Sequence, residues 1–325
     1  SFPQERTTPM TSPIPTTEWI WNDGAFVPWD EARVHVMTHA LHYGSSIFEG
    51  IRFYETPEGP AVMRLTDHVK RFYTSCRIYK MAPDHTPQGL IEASFELIRR
   101  NGLAEGYLRP LAFRGVGALG LNPAPSPVQT LLICWPWGQY LGAEALERGV
   151  DAGVSSWFRP APNTHPSLAK AGGNYINSQL IKMEALANGF DEAIALGVGG
   201  TVSEGSGQNI FLVVEGELLT PALDGTMLAG ITRDCVMRLA RDMGIPVREC
   251  IIPREMLHQA EEVFFAGTAS EVTPVRSVDR VPVGEGVAGP ITRRIQRAYL
   301  DTARGVAPDR YGWLERVPRA EPVAV

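Results

Sequence analysis

A mixed α/β chain built as two units is predicted by three features of the sequence. Its 325 residues, 44% of them hydrophobic, exceed one ordinary domain and suffice for two cores. Short apolar runs of strand length alternate with segments whose apolar residues recur at helical spacing. Between the two halves, Pro136 to Ala145, with Trp137, Gly138 and Tyr140, changes from strand to loop character and reads as a linker. The expected division is a flexible tail over 1–17, a first unit over 18–135, a connecting loop over 136–147 and a second unit over 148–325.

The elements follow in order. The Pro/Thr/Ser-rich start has too little apolar content to pack. Trp19-Ile20-Trp21, then Asn22-Asp23-Gly24, then Ala25-Phe26-Val27 is a β-hairpin pattern, because Asn, Asp and Gly tolerate the positive φ of the turn. Thr66 to Met81 reads as a helix capped by Thr66, with Val69, Phe72, Cys76 and Tyr79 at helical spacing and Arg71 beside that stripe. Pro87 to Asn101 reads as a second, stopped by Gly102. Tyr107 to Gly115 and Val128 to Trp135 are strand patterns, Pro110 suggesting an edge or a bulge in the first. Beyond the linker, strands are expected at Val150 to Trp157, Glu192 to Leu196, Asn209 to Val214, Val247 to Ile252 and Val263 to Ala266. Helices are expected at Asn174 to Asn188, Thr232 to Met243 and Thr292 to Arg304.

Charge and cysteine usage narrow the function classes. A net charge of −6 without a basic run argues against nucleic acid as the main partner. Cys76, Cys134, Cys235 and Cys250 form no C-x-x-C pair, which fits free thiols in a reducing cytoplasm. No apolar run reaches the roughly 20 residues a membrane span needs. The expectation is a soluble cytoplasmic protein.

Four stretches could carry chemistry. Of 30 basic residues only Lys70, Lys80, Lys170 and Lys182 are lysines, so a lysine in a special place suggests an amine that must lose its proton or react with a carbonyl. Lys170 is that lysine: Ala169, Ala171, Gly172 and Gly173 around it offer no helical face and let a flat ligand approach. On these residues alone, chemistry and a tight-turn lysine both remain open. Gly230-Ile231-Thr232 opens a helix whose free N–H groups suit a phosphate, although most capped helices bind nothing. Glu204 stands alone between a strand and a glycine-rich turn, and Gly267-Thr268-Ala269-Ser270 exposes successive N–H groups that could hold a carboxylate. An amine, a phosphate cradle and an acid for a ring nitrogen are together the needs of pyridoxal phosphate. His35, His39 and His42 lack a further ligand at recognisable spacing, which disfavours a metal.

The set resembles a known family. Tyr43 with Phe48-Glu49-Gly50-Ile51-Arg52, Tyr107-Leu108-Arg109-Pro110, Pro136-Trp137-Gly138 with Tyr140 and Gly142, the Lys170 run, Ser203-Glu204-Gly205, Gly230-Ile231-Thr232-Arg233 and Gly267-Thr268-Ala269 look like the fold-type IV aminotransferases, specifically the branched-chain amino acid aminotransferases. The match runs in order from about Trp19 to Trp313. It implies a small α/β N-terminal domain, a larger C-terminal pseudo-barrel domain and pyridoxal 5′-phosphate as cofactor. It also implies transamination of L-leucine, L-isoleucine and L-valine with 2-oxoglutarate, in a homo-oligomer that is at least a dimer. By the same resemblance Lys170 would hold the cofactor covalently and move the proton at the substrate Cα. Arg71, Leu228, Ile231, Thr232 and Thr268 would bind the cofactor with Glu204 at its ring nitrogen and Tyr175 at its phenolic oxygen. Tyr107, Thr268 and Ala269 would take the α-carboxylate, and Phe48, Gly50, Trp137, Tyr140 and Tyr175 would wall the side-chain pocket. Arg109, Tyr43 and Tyr140 would supply its polar end, Tyr43 and Leu121 reaching over from a second subunit, and Arg52 would be a strut behind the site. A D-amino acid or (R)-amine transaminase, an aminodeoxychorismate lyase and an idle relative that kept the fold are the alternatives.

Overall fold

Asp23 and Gly24 both take positive φ, 46° and 97°, the geometry that a two-residue hairpin loop demands. They pair β1 (Trp19–Asn22) with β2 (Ala25–Pro28), as the hairpin pattern predicts. The computed structural model describes residues 15–138 and 143–319, so most of the expected N-terminal tail and Tyr140 lie outside the described residues. A short helix α1 (His39–Tyr43) precedes β3 (Ser46–Phe48), β4 (Ile51–Thr56) and β5 (Gly59–Met63). Helices α2 (Leu65–Ile78) and α3 (Pro87–Arg100) follow, then β6 (Gly106–Arg114) and β7 (Val128–Trp135). Val69, Phe72 and Cys76 of α2 and Leu90, Leu97 and Ile98 of α3 close over one face of this sheet.

Helix α4 (Ala143–Arg148) begins inside the stretch expected as a connecting loop and leads into β8 (Val150–Val154). Helix α5 (Tyr175–Ala187), β9 (Glu192–Leu196), β10 (Val202–Gly205), β11 (Asn209–Val214) and β12 (Glu217–Pro221) come next. Then come α6 (Ile231–Asp242), β13 (Val247–Cys250), β14 (Glu262–Gly267), β15 (Glu271–Val278), β16 (Val281–Pro282), α7 (Pro290–Ala303) and β17 (Leu314–Arg316). Among the described residues β8 to β16 form a mixed sheet in the order β10-β9-β8-β15-β14-β11-β12-β13, with β16 on β15. Its central strands read as unbroken apolar runs because both faces are covered. Phe211, Val213, Phe264 and Ala266 pack under α6 and α7, while their neighbours Ile210, Leu212, Val263 and Phe265 fill a second core on the other face.

The first sheet runs β17-β5-β4-β6-β7-β1-β2, with β3 also on β6, so the C-terminal strand returns to the sheet where the chain began. This return corrects one expectation. Thr66 does not cap α2: the residue before the helix is Arg64, in the left-handed region at φ 54°, and Glu315 of β17 accepts from Thr66 N and Oγ1 at 2.7 Å each. A distant carboxylate meets the free N–H groups that a local hydroxyl was expected to serve. Pro110 is likewise not on an edge, since β6 is central. Its missing N–H faces the break between β3 and β4, where Pro110 O accepts from Glu49 N at 2.9 Å. The strand expected to run to Trp157 stops at Val154, because Glu184 draws Ser155 and Ser156 into a loop. No helix among the described residues is long and apolar enough to cross a membrane.

Candidate active site

The two sheets leave a cavity of about 430 Å³ between them, and Lys170 stands in it. The small residues around this lysine are small for a reason of packing. Ala169 and Ala171 are buried, and a Cβ on Gly172 would lie 2.2 Å from Ser46 Oγ. The first half of the chain then fixes the lysine backbone from both sides: Phe48 N donates to Lys170 O and Lys170 N donates to Ser75 Oγ, each at 3.0 Å. The amine itself stays in the cavity. It donates to the Tyr175 hydroxyl at 2.5 Å and lies 4.8 and 4.9 Å from the ring centres of Phe48 and Tyr175.

Glu204 reaches the cavity from β10, buried to 4% exposure. Its partner was not read from the sequence. Arg159, also buried, places Nη2 2.9 Å from Glu204 Oε1 and gives Nη1 to Asn177 Oδ1 and Ser178 Oγ. Burial pushes the Glu204 carboxyl up, and Arg159, the Leu228 N–H and Lys170 offset that only in part. The helix start at Ile231 borders the same space with Leu228, Gly230 and Thr232. A glycine is required there, for a Cβ on Gly230 would lie 1.9 Å from Asn209 Oδ1, and Asn209 Nδ2 in turn holds Leu228 O at 3.0 Å. Arg71, on α2, borders the cavity beside this helix start and donates to Ala229 O at 3.0 Å. The turn at Gly267, Thr268, Ala269 and Ser270 lines the cavity as well.

The remaining wall is aromatic. Phe48, Tyr107, Trp137 and Tyr175 line it with Gly50 and Arg109. Gly50 is a glycine because a Cβ would sit 1.7 Å from the Tyr107 hydroxyl, which occupies its place. Arg109 lies 4.9, 5.3 and 5.7 Å from the rings of Phe48, Tyr107 and Trp135 and has no carboxylate partner among the described residues. Arg52 stands behind this wall, fully buried, donating to Gly138 O at 2.9 Å. Thus Phe48, Gly50, Arg71, Tyr107, Arg109, Trp137, Lys170, Tyr175, Glu204, Leu228, Ile231, Thr232, Thr268 and Ala269 share one cavity. Tyr43 and Leu121 do not border it and are 47% and 89% exposed. The imidazoles of His39 and His42 are engaged with Ser45, Gly120 and Val36, and among the described residues no cluster is placed to hold a metal.

Comparison with known proteins agrees with this geometry. The family model described as amino-transferase class IV matches residues 46–278. The chain is 50% identical over 301 residues to the branched-chain-amino-acid aminotransferase of Escherichia coli K12, covering 92% of this chain and 97% of that one. Identity to the Pseudomonas aeruginosa branched-chain-amino-acid aminotransferase is 41% over 294 residues, or 90% and 95% of the two chains. The crystal structure of the Escherichia coli enzyme superimposes with a TM-score of 0.92 at 49% identity, covering 93% of this chain and 100% of that one. The branched-chain aminotransferase of Thermoproteus uzoniensis with norvaline gives 0.87 at 39% identity, covering 93% and 100%. With a family model over most of its length and relatives at this identity, the chain belongs to the class IV aminotransferases.

Proposed function

We propose that this enzyme transfers the amino group of L-leucine, L-isoleucine or L-valine to 2-oxoglutarate, giving the branched 2-oxo acids and L-glutamate, with pyridoxal 5′-phosphate as cofactor. The observation that carries this reading is the amine of Lys170, unpaired by any carboxylate among the described residues and facing a cavity shared with Glu204 and the Ile231 helix start. The residues present fit the cofactor. Thr232, Ile231, Thr268 and Arg71 offer N–H and O–H donors to a phosphate at one side of the cavity, and Glu204 offers a carboxylate to a ring nitrogen at another. When bound, that cofactor supplies an aldehyde for amine exchange and a ring that draws electrons from the substrate Cα.

The chain's own residues do the rest. Lys170 Nζ would take the proton from the substrate Cα and return it on the other side of the exchange, the Tyr175 hydroxyl holding the amine in position between steps. Glu204, kept beside Arg159, would hold a proton on the ring nitrogen. Tyr107 with the amides of Thr268 and Ala269 would orient the α-carboxylate. The aromatic wall accepts an aliphatic side chain, and Arg109 offers a guanidinium, free of any carboxylate partner among the described residues, to the second carboxylate of glutamate. One pocket thereby serves both half-reactions, apolar along its walls and cationic at one point.

Two finer features belong to the same reading. Ile176, Leu180 and Met183 form an exposed apolar stripe on α5, with Tyr43 and Leu121 exposed elsewhere, which supports a homo-oligomer of at least two chains in which Tyr43 and Leu121 reach a neighbouring cavity. The cytoplasm is the compartment that fits free thiols and small polar substrates. A rate panel tests the substrate class: L-leucine turns over with 2-oxoglutarate while D-alanine and (R)-phenylethylamine do not, and the reverse preference would overturn it. Lys170→Ala should lower turnover more than about 1000-fold and abolish the visible absorption of the bound cofactor. Retained turnover in that variant would sink the assignment.

A further inference from the structure

Glu49 and His68 have no part in the chemistry above, yet they occupy a demanding position. Glu49 sits at the break between β3 and β4 with no exposed surface, and His68 is buried on α2, one turn before Arg71. The Glu49 carboxylate accepts from Arg71 Nε at 2.7 Å, from Arg71 Nη2 at 2.8 Å and from His68 Nδ1 at 2.7 Å. Burial alone would raise this carboxyl, but Arg71 and His68 hold it far below the usual carboxylate range. The fold buries an ionised acid here and spends a fixed guanidinium to balance it.

The consequence lies in what Arg71 has left. A guanidinium has five N–H donors. Glu49 takes two and Ala229 O takes a third, so two remain without a partner among the described residues, on a side chain that borders the cavity beside Ile231 and Thr232. Glu49 also cancels the arginine's charge, and burial disfavours the protonated form of His68. What this corner offers an anion is therefore aim, not net charge. We propose that Glu49, supported by His68, is a positioning residue for phosphate recognition: its side-on clamp fixes the Arg71 guanidinium so that its two spare N–H groups meet the phosphate together with the Ile231 helix start. This deepens, and rests on, the assignment of Arg71 and that helix start to the phosphate.

Glu49→Gln keeps the shape of the side chain but turns an amide N–H₂ toward donors, so the guanidinium loses its fixed plane. The phosphate's contribution can be read directly by competition. The holoenzyme, converted to its pyridoxamine form with L-glutamate, is dialysed to equilibrium against mixtures of pyridoxamine 5′-phosphate and pyridoxamine, and the ratio bound is measured. A general weakening of the fold moves both ligands and cancels in this ratio. Glu49→Gln should reduce the preference for the phosphorylated ligand about tenfold, and Glu49→Asp should restore part of it. Arg71→Met should reduce it at least as much. An unchanged ratio in Glu49→Gln beside a collapsed one in Arg71→Met would overturn the positioning role and leave the phosphate assignment standing. Unchanged ratios in both would overturn the assignment and the positioning role with it. Should Glu49→Gln fail to fold, His68→Leu removes only the supporting donor and should lower the ratio about threefold, and no change there would likewise overturn the proposal.

Discussion

Two buried carboxylates flank the cavity, each against an arginine, and they are driven in opposite directions. Glu49 is met by Nε and Nη2 along one edge of the Arg71 guanidinium and by His68, and its carboxyl falls far below the normal range. Glu204 is met by one nitrogen of Arg159 and by the Leu228 N–H, and burial, the larger influence, pushes it up. Arg159 divides its donors among Glu204, Asn177 and Ser178, whereas Arg71 gives two of three to Glu49. The lesson is that an ion pair's job depends on how many hydrogen bonds the charge receives, not on whether a partner is near. A fully clamped acid is a strut. A partly compensated one can trade a proton with a bound ring.

The sharpest way to break this contrast is Glu204→Gln. An amide cannot hold a ring nitrogen protonated, so turnover with L-leucine should fall about 100-fold or more while cofactor occupancy stays near the parent's. Steady-state rates alongside the visible cofactor band measure both. Equal turnover in variant and parent would mean that the two acids are equivalent struts.

Arg159→Met should act more gently and in a diagnostic direction. Removing the cation beside Glu204 raises that carboxyl further, so less of it is ionised at a given pH. Turnover at neutral pH should drop roughly tenfold, the size of one good charge interaction, and recover as pH rises. The acid limb of the rate profile therefore moves to higher pH. A limb that stays put would leave Arg159 with a packing role only.

Half of this pair could be read from the sequence and half could not, and the reason is physical. Lys170, Glu204 and the Ile231 helix start are legible because their chemistry is local: small neighbours, a glycine-rich turn and free N–H groups all lie within a few residues. Arg159 carries no such local mark. It becomes functional only because β9 and β10 and the start of α5 close around it, which is a matter of tertiary pairing. Glu49 and Arg71 were both in view as residues, yet the clamp between them depends on the break at Pro110 that lets Glu49 turn inward under α2. The cap of α2 went unread for the same cause, since Glu315 arrives from the far end of the chain. The unbroken apolar runs of β11 and β14, by contrast, already imply a sheet covered on both faces.

The smallest effect tests the other carboxylate through stability instead of rate. Glu49 is depressed in the folded protein from an ordinary value of 4.5, so above that pH both folded and unfolded chains carry it ionised and its stabilising contribution is complete. Below pH 4.5 the unfolded chain takes up a proton that the folded chain refuses, and the contribution is progressively lost. In a His68→Leu background, which removes the titration of the imidazole bonded to this carboxylate, Glu49→Gln lacks the titrating group, so its stability deficit relative to the Glu49 protein should be constant above about pH 6 and narrow by about 1 kcal/mol on reaching pH 4. Denaturant midpoints of both proteins across that range measure the gap. A gap that widened on acidification would mean that folded Glu49 takes up protons more readily than the unfolded chain, and the distinction between a clamped acid and a proton-sharing one would be lost.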